Sequence, residues 1–218
     1  MNRVKIKKEA REMLKGHLWD VLKPILIVSL IMVVVGFITG VTDGSEAELV
    51  NGSLEITSST NVGGGLLSLV VSVAMIPVEF GLLVYIVKFV RKEQYELKEL
   101  FAHFTKFWPI FCLNFLIGLF TTLWSFLFII PGIIAAISYS MAMLVMVDGE
   151  ENAMECIRKS KAMMKGYKWD YVVFQLSFIL WHLLSAVTFG LAYFYVGPYI
   201  SVASVLYYEE LKKVNPAK

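Results

Sequence analysis

From Phe107 to Val147 the chain carries no Asp, Glu, Lys, Arg or His, and Pro131-Gly132 stands near the middle of that stretch. At about 1.5 Å per helical residue the run would be roughly 60 Å long, twice the hydrocarbon thickness of a bilayer. A water-soluble domain has no interior large enough to hide it. The run therefore predicts a transmembrane helical hairpin, with spans at about 108–130 and 132–147 and its turn at Pro131-Gly132.

The rest of the chain has the same character. It is 57% hydrophobic with a mean hydropathy of +0.67, and 17% of its residues are charged, against about a quarter in soluble domains. Its 218 residues are read as a single polytopic membrane domain, 1–218. The two cysteines, Cys112 in an apolar run and Cys156 in a charged segment, form neither a disulfide framework nor a metal-ligand spacing. There is no H-E-x-x-H, no G-x-S-x-G, no phosphate-binding glycine loop and no paired carboxylates at helical spacing in a span. No catalytic residue, metal site or cofactor is expected, and the protein reads as a non-enzyme. The N-terminus does not read as a signal peptide, because its basic region includes Glu9 and Glu12 and no A-x-A site follows the first apolar run.

In chain order, residues 2–18 predict an amphipathic helix with Ile6, Ala10, Met13, Leu14 and His17 on one face and Arg3, Lys5, Lys7, Lys8, Arg11 and Lys15 on the other. It is expected to lie in the headgroup plane with Trp19 as its anchor. A first span follows at 24–41, then a polar loop, 42–62, holding Asp43, Glu46, Glu48 and Glu55 but no basic residue. Asn51-Gly52-Ser53 within it matches a glycosylation sequon, a short pattern common by chance. The second span is 66–90, and residues 91–106 form a second amphipathic segment with a Leu97, Leu100, Phe101 and Phe104 stripe. After the hairpin comes a third, about 150–168, where Asn152 and Glu155 resemble a capping box. Spans five and six fall at about 169–189 and 191–208.

Lys15-Gly16-His17-Leu18-Trp19-Asp20 matches Lys165-Gly166-Tyr167-Lys168-Trp169-Asp170, and Leu100 to Trp108 is a looser middle copy. The fold class that results is an all-α integral membrane protein of six helices in three hairpins, each preceded by a cytoplasmic interfacial helix. All 20 Lys and Arg fall on one face under this assignment, within 1–23, 88–106, 158–168 and the C-terminal tail. By the positive-inside rule that face and both termini are cytoplasmic.

Polar residues within the spans are the candidate binding groups. Glu79, nine residues from Lys88, would sit roughly 13 Å below the inner interface. Two readings stand: a proton-coupling or cation site beside Pro77, or a neutral Glu hydrogen-bonded to a neighbouring helix. Asn114 and Gln175 share a depth, six residues past Trp108 and Trp169, and suit an interhelical hydrogen bond or a ligand contact. His182 would pair with Glu79 if both faced inward, and Tyr199, Tyr207 and Tyr208 read as belt residues. At the membrane surface, Lys5, Lys7, Lys8, Arg11, Lys15, Arg158, Lys159, Lys161 and Lys165 are matched to anionic lipid headgroups. The basic segments carry no nucleic-acid motif. A homo-oligomer or another membrane protein is a further partner to consider.

Pro131-Gly132-Ile133-Ile134-Ala135-Ala136, Ser138-Tyr139-Ser140-Met141-Ala142, and Ala153 to Trp169 with Ser160, Met164 and Lys165-Gly166 resemble an uncharacterised bacterial membrane family. It is the domain-of-unknown-function family nine-seven-five. Ser177-Phe178-Ile179 with Trp181, and Pro198-Tyr199 with Tyr207, continue the similarity over nearly the whole chain. That family is distantly similar to the membrane domain of some glycerophosphodiester phosphodiesterases. The resemblance implies a bacterial plasma-membrane location and, by analogy, a phospholipid-facing role, but no activity. Two function classes follow: a non-enzymatic protein binding lipid, peptide or a partner, and a small proton-coupled transporter or exporter using Glu79.

Overall fold

The computed structural model describes residues 2–42, 45–50, 53–58 and 62–215, with side chains within 2–37 and 66–215. Its helices are, in order, α1 (Arg3–Leu14), α2 (Leu18–Thr42), α3 (Val62–Arg91), α4 (Glu99–Ala102) and α5 (Phe107–Leu127). There follow α6 (Ile129–Tyr139), α7 (Ala142–Val147), α8 (Ala153–Met163), α9 (Lys168–Leu176), α10 (Ile179–Val187) and α11 (Tyr193–Val214). Where a polar loop is expected between the first two spans, strands β1 (Ser45–Val50) and β2 (Ser53–Ser58) pair antiparallel, with Val50 opposite Ser53. In the sequence the two strands are separated by Asn51-Gly52, a dipeptide favoured in two-residue hairpins. Asn51 and Gly52 themselves, with Asp43 and Lys218, lie outside the described residues.

Among the described residues, five helical stretches are long and apolar enough to cross a membrane: Leu18–Phe37, Leu66–Arg91, Glu99–Leu127, Ile129–Val147 and Lys168–Val187. The expected sixth span, 191–208, is not among them. Helix α11 covers most of it and is long enough, but it carries Glu209, Glu210, Lys212 and Lys213, and 11 of its 22 residues are buried. Val196, Tyr199, Val202, Ala203, Tyr207, Tyr208 and Leu211 are all buried. A helix walled by protein rather than lipid can hold polar aromatic side chains, so its hydropathy understates its burial. The same geometry corrects the belt assignment, since Tyr199, Tyr207 and Tyr208 are core residues.

The hairpin turn is at Phe128, an extended residue (φ −160°, ψ 143°) three positions before the expected Pro131-Gly132. Pro131 sits in the first turn of α6, where a missing N–H leaves nothing unpaired. Gly132 serves packing. A Cβ there would stand 2.8 Å from Ser125 Cα, so only glycine lets α5 and α6 approach this closely. Spans four and five, read as continuous, are each broken: α6 gives way to α7 at Ser140-Met141, and α9 to α10 at Ser177-Phe178.

Two of the three amphipathic segments form. Asn2 caps α1 by accepting from the Lys5 N–H, and Asn152 caps α8 by accepting from the Met154 and Glu155 N–H groups. Each helix buries a stripe at four-residue spacing, Ile6, Ala10 and Leu14 in one case and Cys156, Ser160 and Met164 in the other. Each ends in a left-handed glycine, Gly16 at φ +84° and Gly166 at φ +87°. The repeat therefore runs from the caps to Asp20 and Asp170 at a constant offset of 150 positions. The middle copy is vestigial. Only α4 and the 3-10 turn His103–Lys106 are helical, and of its stripe Leu100 alone is buried. Helix α4 is seated against Gly81 of α3, where a Cβ would lie 2.6 Å from the Leu100 carbonyl oxygen. The segments pack chiefly on the long helices and their ends: α4 on α3, α8 on α5 and α7, and α1 on α11.

Candidate functional site

Among the described residues, no hydrogen bond joins any of Glu79, Asn114, Gln175 and His182 to another. Glu79 is exposed on α3, on the stripe that bears Leu69, Ser72 and Ile76. Asn114 points into the hairpin, where Nδ2 donates to the Ile110 carbonyl at 3.2 Å and lies 3.9 Å from Met143 Sδ. Gln175 is exposed and donates to the Tyr171 hydroxyl one turn back, at 2.7 Å. His182 is exposed on α10. The arrangement leaves four separate polar groups rather than a shared site.

The structure instead gathers charge where the apolar helices end. Arg91, the last residue of α3, donates through Nη2 to Asp148 Oδ1 (2.5 Å) and Glu209 Oε1 (2.6 Å). Asp148 Oδ2 accepts from the Tyr208 hydroxyl and from Lys212 Nζ, each at 2.6 Å. Burial pushes the Asp148 carboxyl up, but the hydrogen bonds from Lys212, Tyr208 and Arg91 outweigh it and hold it below the ordinary aspartate value. The cluster pins the ends of α3, α7 and α11 at one level. A cavity of about 350 Å³ opens beside it, lined by Asp148, Glu150, Lys159, Met163, Tyr208 and Lys212. Its charges are already paired, Asp148 with Lys212 and Glu150 with Lys159 at 2.6 Å. Hydrogen bonding from Lys159 holds the Glu150 carboxyl down. The Cys156 thiol nearby donates to the Glu150 carbonyl at 3.3 Å, and burial pushes it up to about 11, which leaves it an unreactive thiol. The sequence reading singles out none of Arg91, Asp148, Glu209 and Lys212, and takes Tyr208 for a belt residue. The available signals are charges at the ends of apolar runs and the i, i+4 pair Tyr208 and Lys212.

The two span breaks are each met by an amphipathic helix. At the first, the Ser160 hydroxyl donates to the Ser138 carbonyl (2.8 Å) and accepts from the Met141 N–H (3.2 Å), so α8 supplies partners that the broken helix lacks. At the second, Lys7 Nζ of α1 donates to the Ser177 carbonyl at 3.3 Å and lies 4.4 Å from the centroid of Phe178. A cation at a helix C-terminus opposes its dipole, and the ring face adds a cation–π attraction. Burial, and then Arg3, lower the Lys7 pKa. One turn further, Arg11 lies 5.9 Å from the Tyr199 ring. Arg3 pairs with Asp170 at 3.3 Å, and Asp170 also accepts from Tyr207 at 3.2 Å. Around these cations Phe174, Phe178, Tyr199 and Tyr207 form a contiguous ring cluster, with centroids 4.8 Å (Phe174–Tyr207) to 5.6 Å (Phe178–Tyr199) apart.

The remaining surface cations are placed as follows. Lys5, Lys8, Lys15, Lys161 and Lys165 are exposed, as is Arg158, which pairs with Glu155 one turn back. Among the described residues no group of three His, Cys, Asp or Glu side chains could hold a metal ion. Residues 1–143 and 127–215 match the model of a family described as protein of unknown function, DUF975. No curated protein and no solved structure matches the chain.

Proposed function

We propose a function for a chain that belongs to the DUF975 family, a membership that brings with it no activity to inherit. The protein is a multi-pass component of a bacterial plasma membrane with both termini in the cytoplasm. It binds lipid, or a peptide or partner chain held in the membrane, without catalysing a reaction. Its helices form three hairpins, with α11 as the enclosed sixth. Similarity to the membrane domain of glycerophosphodiester phosphodiesterases belongs to the same proposal and points to phospholipid as the ligand. In support, Phe126, Phe128, Ile129, Ile130, Leu180 and Phe189 are all at least 70% exposed, a surface suited to lipid and costly in water.

The observation that carries the proposal is the pair Lys7 and Arg11. Both lie on aromatic rings, and neither pairs with a carboxylate among the described residues. Lys7 is half-buried and Arg11 exposed, and cations left without a counterion favour an anionic headgroup, at about 1 kcal/mol per basic residue near the surface. A transporter coupled through Glu79 has less support, because among the described residues no hydrogen-bonded relay joins Glu79 to the other polar groups of the spans. The full chain extracted in mild detergent should carry anionic phospholipid in excess of its share in the source membrane. Lys7→Gln with Arg11→Gln should lower that excess. Co-purified lipid that mirrors the source membrane would overturn the proposal.

A further inference from the structure

Helix α8 and the α5–α6 hairpin enclose a second kind of space. A cavity of about 450 Å³ has Phe120, Trp124 and Tyr139 on one side and Glu155, Arg158 and Lys161 on the other. Phe120 and Tyr139 stand 6.4 Å apart, centroid to centroid, as a tilted pair. The aromatic wall continues along α5 into Leu123 and Leu127, which are 61% and 64% exposed. On the opposite rim, Arg158 is held by Glu155 at 2.6 Å, an exposed i, i+3 pair that costs little to open. Lys161 has no carboxylate partner and the Tyr139 hydroxyl no hydrogen-bond partner among the described residues. The rim thus sets two cations against one carboxylate.

We propose that this groove is a binding site for one anionic phospholipid, its phosphodiester on Lys161 and Arg158 and an acyl chain against Phe120 and Trp124. The inference rests on the lipid-binding reading above and gives that reading a second address, distinct from Lys7 and Arg11. A monoanionic phosphodiester cancels the net positive charge of the rim, and the Tyr139 hydroxyl is free to donate to it. A zwitterionic lipid brings an ammonium that the rim does not need. The exposed apolar track beyond Trp124 suits an acyl chain, whereas a peptide would also present backbone groups that this wall cannot pair.

Trp124 is the reporter. The full-length protein is reconstituted in phosphatidylcholine vesicles, and brominated phosphatidylglycerol or brominated phosphatidylcholine is added as quencher. The Trp124 signal is the difference between wild type and Trp124→Phe. It should be half-quenched at a mole fraction of phosphatidylglycerol about tenfold lower than of phosphatidylcholine. Arg158→Gln with Lys161→Gln should erase that preference, and Lys161→Arg should keep it, which separates lost charge from lost fold. Equal quenching by both lipids, or displacement by a soluble acidic peptide but not by phosphatidylglycerol, would overturn the site. If preference survives Arg158→Gln with Lys161→Gln but disappears with Lys7→Gln and Arg11→Gln, this groove is wrong and the broader lipid reading stands. If neither pair of substitutions matters, both fall.

Discussion

Helices α1 and α8 are built on one plan and do different work. Both start at an asparagine cap, bury three residues at four-residue spacing and stop at a left-handed glycine. Yet the buried positions differ in kind. Ile6, Ala10 and Leu14 are apolar, whereas Ser160, at the position matching Ala10, is a completely buried hydroxyl. The difference follows from what each helix must complete. Helix α8 lies across the Ser140-Met141 break and answers it from the middle of its stripe. Helix α1 answers the Ser177 break from the flank, with Lys7, at the position that matches the buried Ile157. Backbone geometry is what the two copies share, and the side chain that repairs a broken span is what each supplies for itself.

The comparison breaks most sharply at Ser160. Ser160→Ala leaves the Ser138 carbonyl and the Met141 N–H without the partner they have, in a fully buried place. The expected cost is about 3 kcal/mol, seen as a lowered unfolding midpoint in detergent. The reciprocal Ala10→Ser should cost about 1 kcal/mol, since its hydroxyl can turn back to the carbonyl one turn before. Equal costs would mean that Ser160 is merely packed.

The entry to α8 is tied by Asp148. Asp148→Asn should cost about 2 kcal/mol at pH 7, through weaker bonds to Arg91, Lys212 and Tyr208. The sign of the pH dependence follows from the lowered folded-state pKa. The stabilisation is present above the unfolded value of about 4 and is lost as pH falls through the lower folded value. Wild type and variant should therefore converge in acid, as read from the unfolding midpoint against pH. A constant gap would show that charge is not what Asp148 contributes.

Much of this fold is legible in the residues and much of the site is not. The charge-free run announces itself because no soluble interior could hold it, and the matching Lys-Gly-x-x-Trp-Asp segments mark real helix ends, each with a left-handed glycine. Pro131-Gly132 misleads because proline is as welcome in a first helical turn as in a loop. Helix α11 misleads because hydropathy measures a segment's fitness for lipid, and α11 is walled by protein. Glu79, Gln175 and His182 stand out for rarity, yet which face of a helix they occupy depends on neighbours far along the chain. Arg91, Asp148 and Glu209 meet from three separate segments, so no local spacing reveals them.

The two glycines sharpen the shared half of the plan. Neither Gly16 nor Gly166 has any atom within 4 Å of where a Cβ would be, so alanine meets only the backbone cost of a positive φ. Gly16→Ala and Gly166→Ala should each cost about 1 kcal/mol, and by similar amounts. A large inequality would show that one end is held by something beyond its own turn.

The smallest expected effect is at Lys7, and it separates a structural cation from a ligand-binding one. Lys7→Ile copies into α1 the residue that α8 carries at the matching position, Ile157. It removes the hydrogen bond to the Ser177 carbonyl and the contact with Phe178, together worth about 1 kcal/mol. It also removes a burial penalty. A lysine whose folded pKa lies below its unfolded value costs stability at every pH below the folded one, so the charge at pH 7 is already unfavourable. Adding the gain from a buried branched side chain, the net change in stability should stay within about 0.5 kcal/mol. Retention of anionic lipid should nevertheless fall, since the cation is gone while the fold is not. A loss of stability as large as that of Ser160→Ala would instead make Lys7 a structural cap, and would move the headgroup contact to Arg11 alone.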